Sequence, residues 1–290
     1  MSEPRTRAPF GRRLARVESK VELGAYALLT VADRAGPAGP RPGQFYMLAA
    51  AERWGGDGER PYLPRAFSYA RVRPAGGVGD GAPDFGSTVD SGCMLEFLLE
   101  AVGPGTRRLA ELEPGDAVWL TGPLGVGFRI GARPGVRRLL VGGGIGTAPI
   151  VCLSDDVGEG GEVLLGFRSG RHARAAELFG TPADLATDDG SVGRHALVTE
   201  LLRERLDDGG SGTPEVYACG PPPMLEAVRA ICAERDVGAQ LALESGMACG
   251  FGACFGCVAP TRRGYVRLCV DGPVLDASDL DTALFAGAGH

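Results

Sequence analysis

Arg138-Leu-Leu-Val141 runs directly into Gly142-Gly-Gly-Ile-Gly-Thr-Ala-Pro149. A short apolar strand that turns through glycines into a helix-compatible run is how a parallel α/β unit opens. Glycine at such a turn lets a pyrophosphate approach backbone amides at the helix N-terminus. The strict G-x-G-x-x-G pattern fails, because residue 147 is Thr and residue 149 is Pro. Gly144, Gly146 and Thr147 are the candidate nucleotide contacts, and a plain tight turn is the alternative.

The chain on either side has two textures. Downstream, Glu162–Phe167 and Glu215–Ala218 read as strands, and Leu197–Leu206 and Pro223–Arg235 as helices. Strands alternating with helices predict a doubly wound parallel sheet. Tyr217-Ala-Cys-Gly-Pro221 ends the later strand, and ligands of open α/β sheets bind beyond the carboxyl ends of strands. Cys219 and Gly220 there offer a small thiol and bare backbone on which a nicotinamide ring stacks. A buried Cys beside a helix-starting Pro is the other reading. Upstream, short apolar runs at 26–31, 44–48, 66–70, 94–99 and 117–120 alternate with Pro/Gly turns. That spacing predicts a closed antiparallel barrel. Pro74 to Gly92 reads as an elongated hairpin loop.

Composition removes several classes. The 290 residues carry a net charge of -6, so no broad basic field exists to hold a nucleic acid. Lys20 is the single lysine and follows no Gly-rich loop, which excludes P-loop NTPases, protein kinases and lysine Schiff-base enzymes. The longest apolar stretch, Leu139–Leu153, is broken by glycines and Pro149, so no membrane span is predicted. Arg5, Arg7, Arg12, Arg13 and Arg16 cluster at the start, which reads as a solvated tail over 1–15. Without a secretory segment the expected location is cytoplasmic, where thiols stay reduced and clustered ones bind metal.

There are eight cysteines. Cys249, Cys254, Cys257 and Cys269 give C-x4-C-x2-C-x11-C, the plant-type [2Fe–2S] spacing. Four thiolates must converge on two irons, and small residues between them let amides reach the sulfurs. Zinc is the alternative, although it favours two C-x2-C pairs where one is present. Cys93, Cys152 and Cys232 are read as packing residues. Arg65-Ala-Phe-Ser68 sits in the barrel region. Arg65 offers a planar fork to a pyrophosphate, Phe67 a ring face and Ser68 a hydroxyl. Gly103-Pro-Gly-Thr106 offers a phosphate nest. A hydride carries two electrons and a [2Fe–2S] cluster takes one, so a flavin is the expected intermediary.

Taken in order, these pieces resemble the electron-transfer subunit of NAD-linked, heteromeric dihydroorotate dehydrogenase, within the ferredoxin–NADP reductase group. The most specific is Met247-Ala-Cys-Gly-Phe-Gly-Ala-Cys-Phe-Gly-Cys257, followed by Cys269-Val-Asp-Gly-Pro273; Gly122-Pro-Leu-Gly125 and Thr187-Asp-Asp-Gly-Ser191 also match. The resemblance implies three units: an FAD-binding β-barrel (16–132), a central parallel α/β NAD-binding domain (133–240) and a small C-terminal [2Fe–2S] domain (241–290). It implies FAD contacts at Arg65, Ala66, Phe67, Ser68, Leu98, Leu99, Glu100, Gly105 and Thr106. The family often carries Arg where Glu100 stands. It implies an FMN-containing catalytic partner that oxidises dihydroorotate to orotate in pyrimidine biosynthesis. The expected assembly is a heterotetramer of two catalytic and two electron-transfer subunits. This chain alone is then expected to show only diaphorase activity. A reductase subunit serving a hydrogenase, a glutamate synthase-like protein or an oxygenase is the alternative. Asp188 and Asp189, if near the ribose, would repel a 2′-phosphate and favour NAD, whereas Arg168 would attract one.

Overall fold

The computed structural model describes residues 11–37, 39–55, 61–75, 92–131 and 134–288. The expected loop from Pro74 to Gly92 lies almost wholly outside them, as do Arg5 and Arg7. Among the described residues no helix is long and apolar enough to cross a membrane.

The first unit contains β1 (Arg13–Leu23), β2 (Tyr26–Asp33), β3 (Phe45–Ala50), β4 (Arg65–Ser68), β5 (Arg71–Pro74) and β6 (Cys93–Leu99). Helix α1 (Pro104–Ala110) and β7 (Ala117–Leu124) complete it. The strands pair in the order β4-β3-β7-β1-β2-β6-β5. The ladder is open between β4 and β5, and the chain itself crosses that gap at Tyr69–Ala70, where the Ala70 amide donates to Glu96 O at 2.7 Å. Strand alternation sorts β6 cleanly. Cys93, Leu95, Phe97 and Leu99 fill the barrel interior, while Leu98 faces outward into the core shared with the second unit.

β1 begins at Arg13, so three residues expected in the solvated tail belong to a strand. Its apolar alternation is thin, with Ala15, Val17 and Leu23 buried. What holds it is a buried ion pair. Arg13 Nε and Nη2 donate to the two Asp33 carboxylate oxygens at 2.6 and 2.5 Å, and Nη2 also donates to Gly122 O. Asp33 is 1% exposed, so removing Arg13 would strand a buried carboxylate.

The second unit follows the predicted alternation. It contains β8 (Val136–Gly143), α2 (Thr147–Val157), β9 (Gly161–Phe167), α3 (Gly170–Ala173), β10 (Ala183–Thr187) and β11 (Arg194–His195). It continues with α4 (Val198–Asp207), β12 (Thr213–Cys219), α5 (Pro222–Glu234) and β13 (Gly238–Ala242). A hairpin of β14 (Val258–Thr261) and β15 (Gly264–Arg267) follows, then β16 (Val274–Asp276). The large sheet has the order β11-β10-β9-β8-β12-β13-β16. All its pairs are parallel except β13–β16. The chain winds one way from β8 and the other way from β12, so the switch point lies between these two strands.

The C-terminal segment is more tightly woven in than a separate small domain would be. β16 adds an antiparallel edge to the nucleotide-type sheet. Val126 of the barrel side bridges to Pro273. One apolar cluster runs from Phe45 and Met47 through the sheet to Cys257, Leu268 and Cys269. Glu226 on α5 ties down the end of the chain. Its carboxylate pairs with Arg229 at 2.6 Å and accepts from Thr282 Oγ1 at 3.0 Å and Ala283 N–H at 2.6 Å. The Arg229 hydrogen bond, opposed by partial burial and assisted by Ala283 and Thr282, lowers this carboxyl to about 2 from an ordinary 4.5.

A carboxyl depressed on folding stabilises above its unfolded pKa and loses that stabilisation as pH falls toward the folded value. Glu226→Gln should therefore melt below the wild type by a constant margin between pH 7 and 5, of order ~2–4 °C for each ~1 kcal/mol lost. The margin should shrink as pH drops below 4.5. Thermal denaturation of both proteins across that range checks this; a margin that widens in acid contradicts it.

Candidate functional site

The two turns quoted from the sequence meet at the switch point. In the parallel register of β8 and β12, Cys219 pairs with Gly142. A Cβ on Gly146 would stand 2.6 Å from the carbonyl carbon and oxygen of Cys219 and from Gly220 Cα. Those atoms are backbone and cannot move aside, so Gly146 is fixed as glycine by the packing of one turn on the other. Met224, in the first turn of α5, fills the space beneath, its sulfur lying against Gly143 and Gly220. Nothing in the sequence singled out Met224. Gly144 borders open space on the same turn. Thr147 is wholly buried at the start of α2, and its hydroxyl has no partner among the described residues.

A cleft of about 740 Å³ opens above these turns. From the barrel it takes Arg65, Ala66, Phe67 and Ser68, then Leu98, Glu100, Gly103 and Thr106. From the sheet it takes Gly146, Cys219 and Gly220. From the segment before the cluster motif it takes Ser245 to Ala248. Most of the expected cofactor contacts thus share one cavity. β4 is the end strand of its sheet, so one backbone edge is left unpaired by strands.

Gly105 and Arg65 interlock. A Cβ on Gly105 would sit 2.6 Å from Arg65 Nε, so the guanidinium lies against the first turn of α1. Thr106 Oγ1 accepts from Gly103 N–H at 2.9 Å, which spends the hydroxyl on shaping the loop. The first-turn amides of α1 have no intrahelical acceptor. Cation and amides together suit a pyrophosphate, and the cradle beside Gly105 exists only because a Cβ is missing. Leu99 does not join them, since its side chain fills the barrel core. Glu100 is held by His172, whose Nε2 is 3.4 Å from the carboxylate and whose Nδ1 meets Ser169 Oγ at 2.8 Å.

Asp188 lies outside this cleft, exposed at the end of β10 and next to the end of β9, where Arg168 is also exposed. Asp189 has a separate job. It accepts from Ser191 N–H at 3.0 Å and Ser191 Oγ at 2.5 Å, while Ser191 Oγ accepts from Gly170 N–H. Hydrogen bonds from Ser191 hold its carboxyl below the usual range. Cys219 is pushed the other way: burial first, then Glu244, raise its thiol well above normal, so it stays neutral. Cys93 and Cys232 are buried and pushed up to about 12 by that burial, as packing residues should be.

The four clustered cysteines fall into two pairs. Cys269 N–H faces Cys257 Sγ at 3.5 Å, and both residues are buried. Cys249 is half-buried and hydrogen-bonded to Cys254, which is exposed. The Cys269 hydrogen bond draws the Cys257 thiol down to about 6 and raises Cys269. Burial opposes ionisation of Cys249, but backbone amides of Cys254, Phe251 and Ala253 outweigh it and bring the thiol to about 7. Gly256 N–H donates to Cys254 Sγ at 3.4 Å. Among the described residues no three Cys, His, Asp or Glu side chains gather as they would around one ion. Two cysteine pairs served by amides suit a two-iron cluster, in which each iron takes two protein sulfurs. The loop is seated on the barrel through Gly250, whose φ of 79° and contact with Met47 leave no room for a Cβ.

Gly146→Ala should disturb both turns at once, costing of order ~1–3 kcal/mol through overpacking against rigid backbone and weakening NADH binding. Denaturant titration and the KM for NADH check this. An alanine variant with wild-type midpoint and KM contradicts the packing.

Residues 244–281 match the family model for the iron-sulfur cluster binding domain of dihydroorotate dehydrogenase B. The chain is 34% identical over 248 residues to the dihydroorotate dehydrogenase B (NAD(+)) electron transfer subunit of Caldanaerobacter subterraneus subsp. tengcongensis, covering 83% of this chain and 87% of that one. The subunit of the same description from Clostridium acetobutylicum is 33% identical, with 90% and 93% covered. Among solved structures, one reported for flavin-based electron bifurcation by NADH-dependent reduced ferredoxin-NADP oxidoreductase superposes with a TM-score of 0.72 at 22% identity, covering 94% of this chain and 91% of that one. A ferredoxin NADP+ reductase from Neisseria gonorrhoeae superposes with a TM-score of 0.54 at 15% identity, covering 77% and 91%. These two likenesses concern the fold, and the two closely covered relatives concern descent: the chain belongs to the family of dihydroorotate dehydrogenase B electron transfer subunits.

Proposed function

We propose that this chain carries electrons between an FMN-containing dihydroorotate dehydrogenase catalytic subunit and NAD, in pyrimidine biosynthesis. One observation carries the reading. A single cleft is bordered by the Arg65–Ser68 strand, by the paired turns at Gly146 and Cys219–Gly220, and by the Ser245–Ala248 run that leads into Cys249. A flavin seated there is within reach of a nucleotide on one side and of a cluster on the other. FAD, when bound, exchanges the two-electron chemistry of NAD(H) for the one-electron chemistry of an iron–sulfur centre.

Each residue then has a task. Arg65 and the α1 amides at Gly105 and Thr106 neutralise the FAD pyrophosphate. Phe67 and Ser68 present a ring face and a hydroxyl to the flavin. Glu100, a carboxylate, is unsuited to phosphate and is oriented by His172 to accept from a sugar hydroxyl. Gly144, Gly146 and the N-terminus of α2 receive the NAD pyrophosphate, with Thr147 buried below. Cys219 and Gly220 floor the nicotinamide. The neutral thiol of Cys219 adds no charge beneath a ring whose charge changes in the reaction. Asp188 repels a 2′-phosphate and selects NAD over NADP. Cys249, Cys254, Cys257 and Cys269 hold the [2Fe–2S] cluster.

The division into a barrel at 16–132, a nucleotide domain at 133–240 and a cluster domain at 241–290 is a functional one laid over a shared core. The assembly we infer contains two electron-transfer and two catalytic subunits, in the cytoplasm. Dihydroorotate oxidation belongs to the partner in this reading, so the isolated chain should act only as a diaphorase.

Reconstitution tests this. The holo chain alone should reduce dyes with NADH and leave dihydroorotate untouched. With a dihydroorotate dehydrogenase catalytic subunit it should produce orotate and NADH from dihydroorotate and NAD+. Dihydroorotate oxidation by the isolated chain, or no coupling in the complex, contradicts the reading. Asp188→Ala should narrow the NADH-over-NADPH preference in kcat/KM, and an unchanged ratio counts against that assignment.

A further inference from the structure

In the function proposed above, Arg65 neutralises the FAD pyrophosphate, so the contacts that hold its guanidinium decide how well it can do so. Among the described residues no carboxylate pairs with it. Nη1 donates to Leu63 O at 2.5 Å, two residues back along the chain. The fork lies against Gly105, where a Cβ would stand 2.6 Å from Nε. A third contact comes from outside the cleft: the guanidinium carbon stands 6.0 Å over the ring of Trp54.

Trp54 belongs to the connection between β3 and β4. It does not border the flavin cleft; it lines a separate cavity of about 360 Å³ together with Tyr62 and Pro64. The side chain is half-buried and packs on the barrel core. Its Nε1 is buried and meets no acceptor among the described residues. A buried indole usually pairs that donor, so the feature this site uses is the ring face. The residues beside Trp54 are tied down. Arg53, at a left-handed φ of 54°, pairs with Glu111 of the α1 C-terminus at 3.2 Å. Arg108 Nε of α1 donates to Glu52 O at 3.3 Å. On the other side Gly55 N–H donates to Pro61 O at 2.7 Å. Each exposed contact is weak alone. Together they fix the connection to α1, the helix that also carries Gly105.

A carboxylate would orient an arginine but also neutralise it, leaving less charge for a phosphate. A ring face orients a guanidinium and leaves its charge and its remaining N–H donors available. We propose that Trp54 is a positioning residue for FAD. Its indole face backs the Arg65 guanidinium, while Leu63 O and Gly105 locate the fork, so that the remaining donors meet the pyrophosphate. The proposal rests on the function inferred above. Trp54 acts through Arg65 alone, since it lines no part of the cleft.

The test is a double-mutant cycle in the full-length chain, read as FAD affinity by flavin fluorescence. Trp54→Leu should weaken FAD binding ~5-fold or more. Trp54→Phe, which keeps a ring face, should recover most of that loss. In an Arg65→Ala background, Trp54→Leu should cost less than ~2-fold further, because the indole then has no guanidinium to hold. Should Trp54→Leu not fold, Trp54→Met, an apolar filler without a ring face, runs through the same cycle. Equal losses with and without Arg65 would make Trp54 an ordinary packing residue and overturn the proposal, leaving the function intact. Wild-type affinity in Trp54→Leu overturns it equally. An Arg65→Ala chain that binds FAD as tightly as the wild type removes Arg65 from the site, and the proposal with it.

Discussion

Gly146 rests against the backbone of Cys219 and Gly220, closer than any side chain would allow. This contact sets the geometry of everything above it. It clamps the turn after β8 to the turn after β12 at the point where the sheet changes winding direction. The carboxyl ends of both strands therefore open into one cleft rather than two. The barrel lays Arg65–Ser68 along that cleft, and the C-terminal segment closes it with Ser245–Ala248. A redox chain needs its carriers in series, and under the function proposed above these shared walls would line them up. Ala248 borders both this cleft and a second cavity that Cys249 lines.

The same logic explains why the three units share apolar cores. Leu98 and Tyr26 of the barrel pack with the sheet on one side. Phe45 and Met47 pack through to Cys257 and Cys269 on the other. Polar links reinforce the seam: Arg71 pairs with Asp155 at 2.7 Å, and Ala25 N–H donates to Arg171 O. The relative placement of these units is thereby fixed by close-packed interiors, which resist small displacements.

Much of this was legible because some chemistry constrains neighbours in sequence. Four cysteines at C-x4-C-x2-C-x11-C and glycines at strand ends are local demands, so both can be read from neighbours in the chain. Long-range demands left weaker traces. Arg13 looked like one more charge in a basic tail; its partner Asp33 is a strand away, and only the folded barrel buries the pair. β16 is three residues long and carries no periodicity, so its addition to the parallel sheet was not readable. Leu99 was grouped with Leu98 and Glu100, yet strand alternation turns it into the barrel. Asp188 and Asp189 looked equivalent, but Ser191 occupies only the second. Met224 and the Ser245–Ala248 wall matter through contacts that no local pattern announces.

Anaerobic titration of the holo protein with NADH, followed by visible absorbance and electron paramagnetic resonance, tests the central claim most directly. If one cleft joins nucleotide, flavin and cluster, NADH should reduce the flavin and also produce the paramagnetic signal of a reduced [2Fe–2S] centre, with two irons per chain. Flavin that bleaches fully while the cluster stays oxidised would contradict that arrangement.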